Sequence, residues 1–319
     1  MAATELHASV LLTESVRELR VAPAGIYLDA TVGLGGHTEA LLEASAPDGR
    51  VLGVDRDPAA LELASGRLAR FGDRVTLVEG SFSDVAVYAQ ASDHFPLDGA
   101  IADLGVSSIQ LDDPGRGFSF RAAGPLDMRM GPGVGSTAAE LIENFDRAEL
   151  TRVLREYGEV GRPRPLAEAI LEARDEGRLV TTDDLARVVE RVEGRPRNMT
   201  IHPATKAFQA IRIAVNRELD ELGGLLHALA SLVRPGGRVA IISFHSLEDR
   251  IVKTVFADPP VAPETRHLPI ERPVGPWRAL TRRPIVPTER EVRANPRARS
   301  AKLRVAERRE DDASAEGRA

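Results

Sequence analysis

The chain has no cysteine in 319 residues. Disulfides, thiolate zinc sites and cysteine nucleophiles are therefore excluded. The absence fits a reducing compartment, and a cytoplasmic location is expected. No run of eighteen apolar residues occurs, so no membrane span or membrane partner is expected. Met1 to Arg20 lacks a basic-then-apolar leader pattern. There is no nucleophile elbow, which removes a Ser–His hydrolase, and no internal repeat. Positive charge is in deficit, with a net charge of −6. RNA could then be bound only through a local basic surface. What is abundant is apolar residue, 43% of the chain. That supports one large domain or two modest ones.

The most informative stretch runs from Asp29 to Asp55. Ile26 to Ala30 is an apolar run containing an acid, as in a buried parallel strand. Gly33, Gly35 and Gly36 follow within four positions, and a helix is expected from about His37. Val51 to Val54 then form a second apolar strand ending on Asp55. A strand, glycine loop, helix and strand with a terminal acid is a nucleoside-binding unit. Glycines admit a ligand to the backbone, the helix start offers N–H groups, and the second acid accepts ribose hydroxyls. A dinucleotide loop would place a third glycine where Thr38 stands, which weakens a pyrophosphate reading. The acid-x-x-x-G-x-G-G form resembles motif I of class I S-adenosylmethionine-dependent methyltransferases.

Along the chain, His7 to Arg20 reads as a helix. Asp57-Pro58 caps another, with Leu61, Ala64 and Leu68 on its inner face. Val75 to Glu79 and Leu97 to Leu104 read as two more strands. Alternating strands and helices predict a parallel sheet with ligands at its carboxyl end. The alternation stops at a Gly- and Pro-rich loop from Asp112 to Gly135, then gives way to helical stripes such as Leu150, Val153, Leu154 and Tyr157. From His202 one long helix is expected, kinked or divided at Gly223-Gly224. Leu232 to Arg238 turns into a strand from Val239 to Phe244, and Lys302 to Ala306 is a final strand. Domains are therefore expected at 1–111 with 206–309 (core), 112–205 (loop and helical insertion) and 310–319 (a disordered acidic tail).

Longer stretches then carry a specific resemblance. They are Asp103-Leu104-Gly105-Val106-Ser107-Ser108-x-Gln110-Leu111-Asp112, Arg116-Gly117-Phe118-Ser119-Phe120, Gly124-Pro125-Leu126-Asp127-Met128-Arg129-Met130, His202-Pro203-Ala204-Thr205-x-x-Phe208-Gln209-Ala210-x-Arg212-Ile213, and Ser243-Phe244-His245-Ser246-Leu247-Glu248-Asp249-Arg250. With the glycine loop and His7-x-x-Val10-Leu11-Leu12, they make the chain similar to the MraW/RsmH-type methyltransferases almost end to end. Members methylate the exocyclic N4 amine of a cytidine in bacterial 16S ribosomal RNA. The resemblance implies an α/β fold: a class I (Rossmann-like) S-adenosylmethionine-dependent methyltransferase core with an inserted all-helical domain. It implies S-adenosylmethionine as cofactor, with contacts at Gly35, Gly36, His37, Asp55, Phe82, Asp103 and Gln110, beside Gly33 of the loop. It implies 16S rRNA of the small ribosomal subunit as partner. A homodimer is left open.

In such a reaction the amine lone pair is conjugated with the ring, so positioning supplies most of the acceleration. Asp103 is the candidate acceptor for an amine N–H. Ser107, Ser108 and His245 are further candidates for holding the base. Asp103-Leu104-Gly105-Val106 lacks the Pro-Pro-aromatic continuation of many amino-methyltransferases, so their catalytic detail does not transfer. No metal is expected, since no second histidine lies at ligand spacing from His245. Basic surfaces are the Arg116 to Arg129 loop and the Arg-rich segment from Arg266, with Trp277 and Phe118 as stacking candidates; an ordinary solvated surface explains such charge equally well. Three other readings stay open: a small-molecule methyltransferase, an NAD(P)-dependent oxidoreductase, and a non-catalytic module that keeps the pocket.

Overall fold

Apolar residues with period two build both faces of one sheet. Leu28, Ala30, Leu52, Val54, Ala100, Ala102, Val239 and Ile241 pack on one side. Tyr27, Val51, Ile101, Ala240 and Ile242 pack on the other. Strands apolar on both faces must be covered by helices on both. A computed structural model describes residues 9–133, 135–194, 202–259 and 273–310. The expectations for His7, the start of the Arg-rich segment and the tail beyond Glu310 lie outside the described residues.

The chain divides into two compact units, residues 1–105 with 219–319, and residues 106–218. The sequence pattern places the corresponding boundaries at 111/112 and 205/206. The first unit holds β1 (Ile26–Asp29), β2 (Arg50–Asp55), β3 (Val75–Glu79), β4 (Leu97–Asp103), β5 (Val233–Ser243), β6 (Trp277–Ala279) and β7 (Lys302–Arg308). Their order is β3-β2-β1-β4-β5-β7-β6, with β7 antiparallel to β5 and to β6 and the other pairings parallel. This is a doubly wound, Rossmann-like sheet with an antiparallel edge, the arrangement that the resemblance implies. The strand order reverses between β1 and β4, and ligands bind at the carboxyl ends beside such a switch.

One face is covered by α1 (Leu12–Leu19), α2 (Gly36–Ala44) and α3 (Pro58–Leu68). Asp57 caps α3 by accepting from the Ala59 N–H, with Pro58 at the first helical position. On the other face Val85 and Ala89 of α4 (Val85–Ala91) join the core. The helical unit contains α5 (Ser108–Asp112), α6 (Ala138–Asn144), α7 (Arg147–Glu156), α8 (Pro163–Asp175), α9 (Thr182–Glu193) and α10 (Ala204–Asn216). Leu150, Val153, Leu154, Leu166, Ile170, Leu185, Val189, Phe208 and Ile211 give it a core of its own. Next come α11 (Glu218–Leu232), α12 (Ser246–Phe256) and α13 (Glu289–Ala294). Leu222, Leu225, Leu226 and Leu229 of α11, and Val252 and Phe256 of α12, complete the second covered face of the sheet. Each such side chain contributes roughly 2–3 kcal/mol by leaving water.

Two expectations are corrected. The helix from His202 is divided at Arg217, which is left-handed (φ 52°), and Gly223-Gly224 lies inside α11. The turn before the fifth strand is a bulge within it, because the β4 register steps from Leu97↔Val233 to Gly99↔Arg238.

Candidate active site

β1 delivers Asp29, which is buried. One carboxylate oxygen accepts from the Thr38 hydroxyl at 2.7 Å, the other from the Thr31 N–H at 3.1 Å. The Thr31 hydroxyl in turn accepts from the Asp103 N–H at 2.6 Å. Asp29 thus ties the loop after β1 to α2, and Thr31 ties it to the end of β4. Burial pushes the Asp29 pKa up to about 6, against the pull of these hydrogen bonds.

β2 delivers Asp55 beside it. Its Oδ2 accepts from the Gly33 N–H at 2.7 Å and its Oδ1 from the Asp57 N–H at 2.9 Å. The acid therefore shapes the glycine loop. Each carboxylate oxygen retains further acceptor capacity for a ribose hydroxyl. Burial raises its pKa, and the charges of Asp57 and Asp29 push the same way. Gly35 is the residue preceding α2. Gly36 has a reason internal to the fold, since a Cβ there would collide with the Ser9 hydroxyl.

His37 is buried, and its Nε2 lies 3.1 Å from the Val10 carbonyl. A carbonyl only accepts, so Nε2 carries the proton and Nδ1 is left as an acceptor. Nδ1 lies 3.9 Å from Asp103 Oδ2. Burial lowers the His37 pKa to about 4, so the ring faces Asp103 uncharged at neutral pH. Asp103 closes β4, and its Oδ1 is buried without a hydrogen-bond partner among the described residues. Burial raises its pKa well above the carboxylate range, reinforced by the charges of Asp29 and Glu248. A part-buried acid with one buried, unsatisfied oxygen at the carboxyl end of a parallel strand is a functional signature.

Phe82 follows β3 and is half-buried, with the Arg56 guanidinium carbon 5.7 Å from its ring centre. His245 caps α12: its ring accepts from the Glu248 N–H at 3.4 Å, and Glu248 accepts from the Phe244 N–H at 2.8 Å. The cap occupies the His245 Nδ1; its Nε2 is buried without a hydrogen-bond partner among the described residues, 3.1 Å from Glu248 Oε1. Ser107, Ser108 and Gln110 belong to the helical unit. Ser107 and Gln110 form a capping box on α5, and the Gln110 amide donates to the Met130 carbonyl at 3.1 Å. Ser108 is the first residue of α5.

The structure thus gathers Gly33, Gly35, Gly36, His37, Asp55 and Asp103 at the carboxyl ends of β1, β2 and β4, with Phe82 just past β3. Sequence reasoning assigned no role to Thr31, Thr38, Arg56 or Glu221. Arg56, next to Asp55, offered a signal; Glu221, far along the chain, offered none. The stacking candidates are corrected: Trp277 is 1% exposed against Phe256, and Phe118 is 8% exposed. Arg116 donates to the carbonyls of Arg129 and Met130, and Arg129 is paired with Asp127.

Among the described residues no helix is long and apolar enough to cross a membrane. The small-subunit ribosomal RNA methyltransferase H of Sorangium cellulosum is 51% identical over 95% of this chain and 91% of its own length. The protein of the same name from Magnetococcus marinus is 47% identical, over 95% and 98%. A solved ribosomal RNA methylase from Streptococcus thermophilus is 12% identical with a TM-score of 0.43, covering 96% of this chain and 99% of that one. The MraW methylase family model matches residues 4–309, and the chain belongs to that family.

Proposed function

We propose that this protein uses S-adenosylmethionine to methylate the N4 amine of a cytidine in 16S rRNA of the small ribosomal subunit, in the cytoplasm. The observation that carries the reading is near full-length identity to proteins named for small-subunit rRNA methylation, at 51% over 95% of the chain. The buried, unsatisfied oxygen of Asp103 supports it chemically.

When bound, the cofactor supplies a methyl carbon activated by a sulfonium. The residues supply position and charge. Asp55 holds the ribose diol from the end of β2, and the loop from Gly33 to Gly36 carries the amino-acid portion. Asp103 Oδ1 accepts one N–H of the cytosine amine, which turns the nitrogen lone pair out of conjugation and towards the methyl carbon. The C–N bond forms as the methyl–sulfur bond breaks and the neutral thioether leaves. The nearby Asp103 carboxylate favours the positive charge gained by the amine nitrogen, which is lost when the N–H proton passes to that carboxylate or to water. His37 stays neutral and holds the wall behind Asp103 through Val10. Most of the acceleration comes from this positioning.

The test is transfer of tritium from labelled S-adenosylmethionine to small subunits from cells lacking the protein, followed by nucleoside chromatography. Labelled N4-methylcytidine is expected. Label in another nucleoside would overturn the cytosine-N4 assignment. No label in RNA, with the cofactor bound, would move the assignment to a small-molecule acceptor or a non-catalytic module.

A further inference from the structure

Arg56 follows Asp55 directly, at the end of β2. In nucleotide-binding units an arginine near this place receives a ribose 2′-phosphate. Here its charge is already matched. Arg56 Nη2 lies 2.6 Å from Glu221 Oε2 and donates to the Ser81 hydroxyl at 2.8 Å. Ser81 also bonds Glu221 and lies 2.9 Å from the Ser83 hydroxyl. Arg56 and Glu221 are 23% and 17% exposed, so solvent screens the pair only partly.

Two backbone features hold the group together. The Gly80 N–H donates to the Asp55 carbonyl at 2.9 Å, joining the turns after β2 and β3. A Cβ at Gly224 would lie 3.0 Å from the Ser83 side chain, so α11 comes close to the second turn. Glu221 stands in the first turn of α11, where a helix favours negative charge. Burial raises its pKa, but Ser81 and Arg56 outweigh that and hold it below the usual range.

We propose that Glu221 is a positioning residue that locks Arg56 over Phe82 and cancels its charge, so that the site beside Asp55 accepts an adenosyl group with an unphosphorylated ribose and rejects phosphorylated nucleotides. The inference rests on the S-adenosylmethionine reading and names what sets cofactor choice at that site. Asp55 alone repels a 2′-phosphate. An unmatched arginine one residue away would oppose that repulsion. Glu221 removes the opposition, and with Ser81 it fixes the guanidinium in one orientation.

The test is calorimetric titration of the full chain with S-adenosylhomocysteine and, separately, with adenosine 2′-monophosphate. Glu221→Gln keeps the shape and removes the charge. It should lose roughly tenfold in affinity for S-adenosylhomocysteine, the scale of one lost charge-assisted bond. It should gain affinity for the 2′-phosphate, and the gain should vanish in the Glu221→Gln, Arg56→Ala double variant. Glu221→Asp keeps the charge and should keep the wild-type preference. A purely structural role would weaken both ligands together. That result, or no change in either, overturns the proposal while leaving methyl transfer intact. Failure of the wild type to bind S-adenosylhomocysteine would instead overturn the cofactor reading, and this inference with it.

Discussion

Asp29 is buried and Asp103 part-buried, with its side chain 22% exposed, and desolvation raises the pKa of both. Asp29 is fully hydrogen-bonded, yet burial still raises its pKa from 3.8 to about 6. Between those values the unfolded chain releases a proton that the folded chain keeps. Its contribution to stability therefore falls as pH rises through that window. Above pH 6 the cost stands at roughly 3 kcal/mol. His37 has the opposite sign, since its folded pKa is about 4 against 6.5, and stability is lost as pH falls between them. The two oppose each other in the wild type, so a difference measurement is needed. The unfolding free energy of Asp29→Asn minus wild type should rise from pH 4 to pH 8, as read from urea melts. A difference independent of pH would contradict the assignment. Asp103→Asn removes the acid facing Asp29 and Glu248. It should raise the melting temperature and lower kcat by about a hundredfold or more, as a misplaced reactant does. Loss of both stability and activity would point to a structural acid.

At the scale of elements, the start of α2 shows why a glycine pattern has two readings. The loop needs glycine for a ligand, but Gly36 also meets Ser9 at a distance no Cβ tolerates. Gly36→Ala would force the Ser9 hydroxyl to rotate away and still leave the Ser9 Cβ at 3.3 Å, so it should destabilise the chain by about 1 kcal/mol in denaturant melts, even without cofactor. A variant of unchanged stability that only binds the cofactor less well would return Gly36 to a purely ligand-facing role. The division of the His202 helix at Arg217 was not legible. Arginine has no preference for φ 52°, a conformation costing roughly 1 kcal/mol, and the apolar period runs on from α10 into α11. Gly223-Gly224 looked like the break, yet Gly224 serves the close approach to Ser83. β6 went unread because three residues, Trp277 to Ala279, carry too little pattern.

Across the whole molecule, charge is the property that bears on a large polyanionic partner. The net charge is −6, so RNA binding has to use arginines not already neutralised. Many are neutralised. Arg304 pairs with Asp249 at 2.6 Å, Arg309 with Asp258 at 3.0 Å, and Arg278 with Glu307. Arg282, Arg283 and Arg299 are exposed and form no ion pair among the described residues. They flank β6 and β7 in the chain, and β7 begins opposite Ser243 at the carboxyl end of β5, the same end of the sheet as Asp103. Replacing Arg282 and Arg283 by Gln should raise KM for small subunits and leave cofactor affinity unchanged. It should also reduce the salt slope of binding by about 0.7–0.9 for each phosphate no longer neutralised. An unchanged slope would place the RNA elsewhere.

The alternation of apolar residues and the run from Asp29 to Asp55 determined the parallel strands β1 to β4 and the end of the sheet where the glycine loop and the acids gather, without any coordinates. These are local patterns, in which a strand period, a glycine loop and a capped helix lie within a few residues of one another. The long family stretches determined the methyltransferase resemblance. The tertiary structure alone decided which acids lose their water, because burial depends on elements distant in the chain. It brought Asp29 and Glu248 close enough to raise the pKa of Asp103, and it made His37 a neutral wall. It also set Glu221 against Ser81, 140 residues away, an encounter no local pattern encodes.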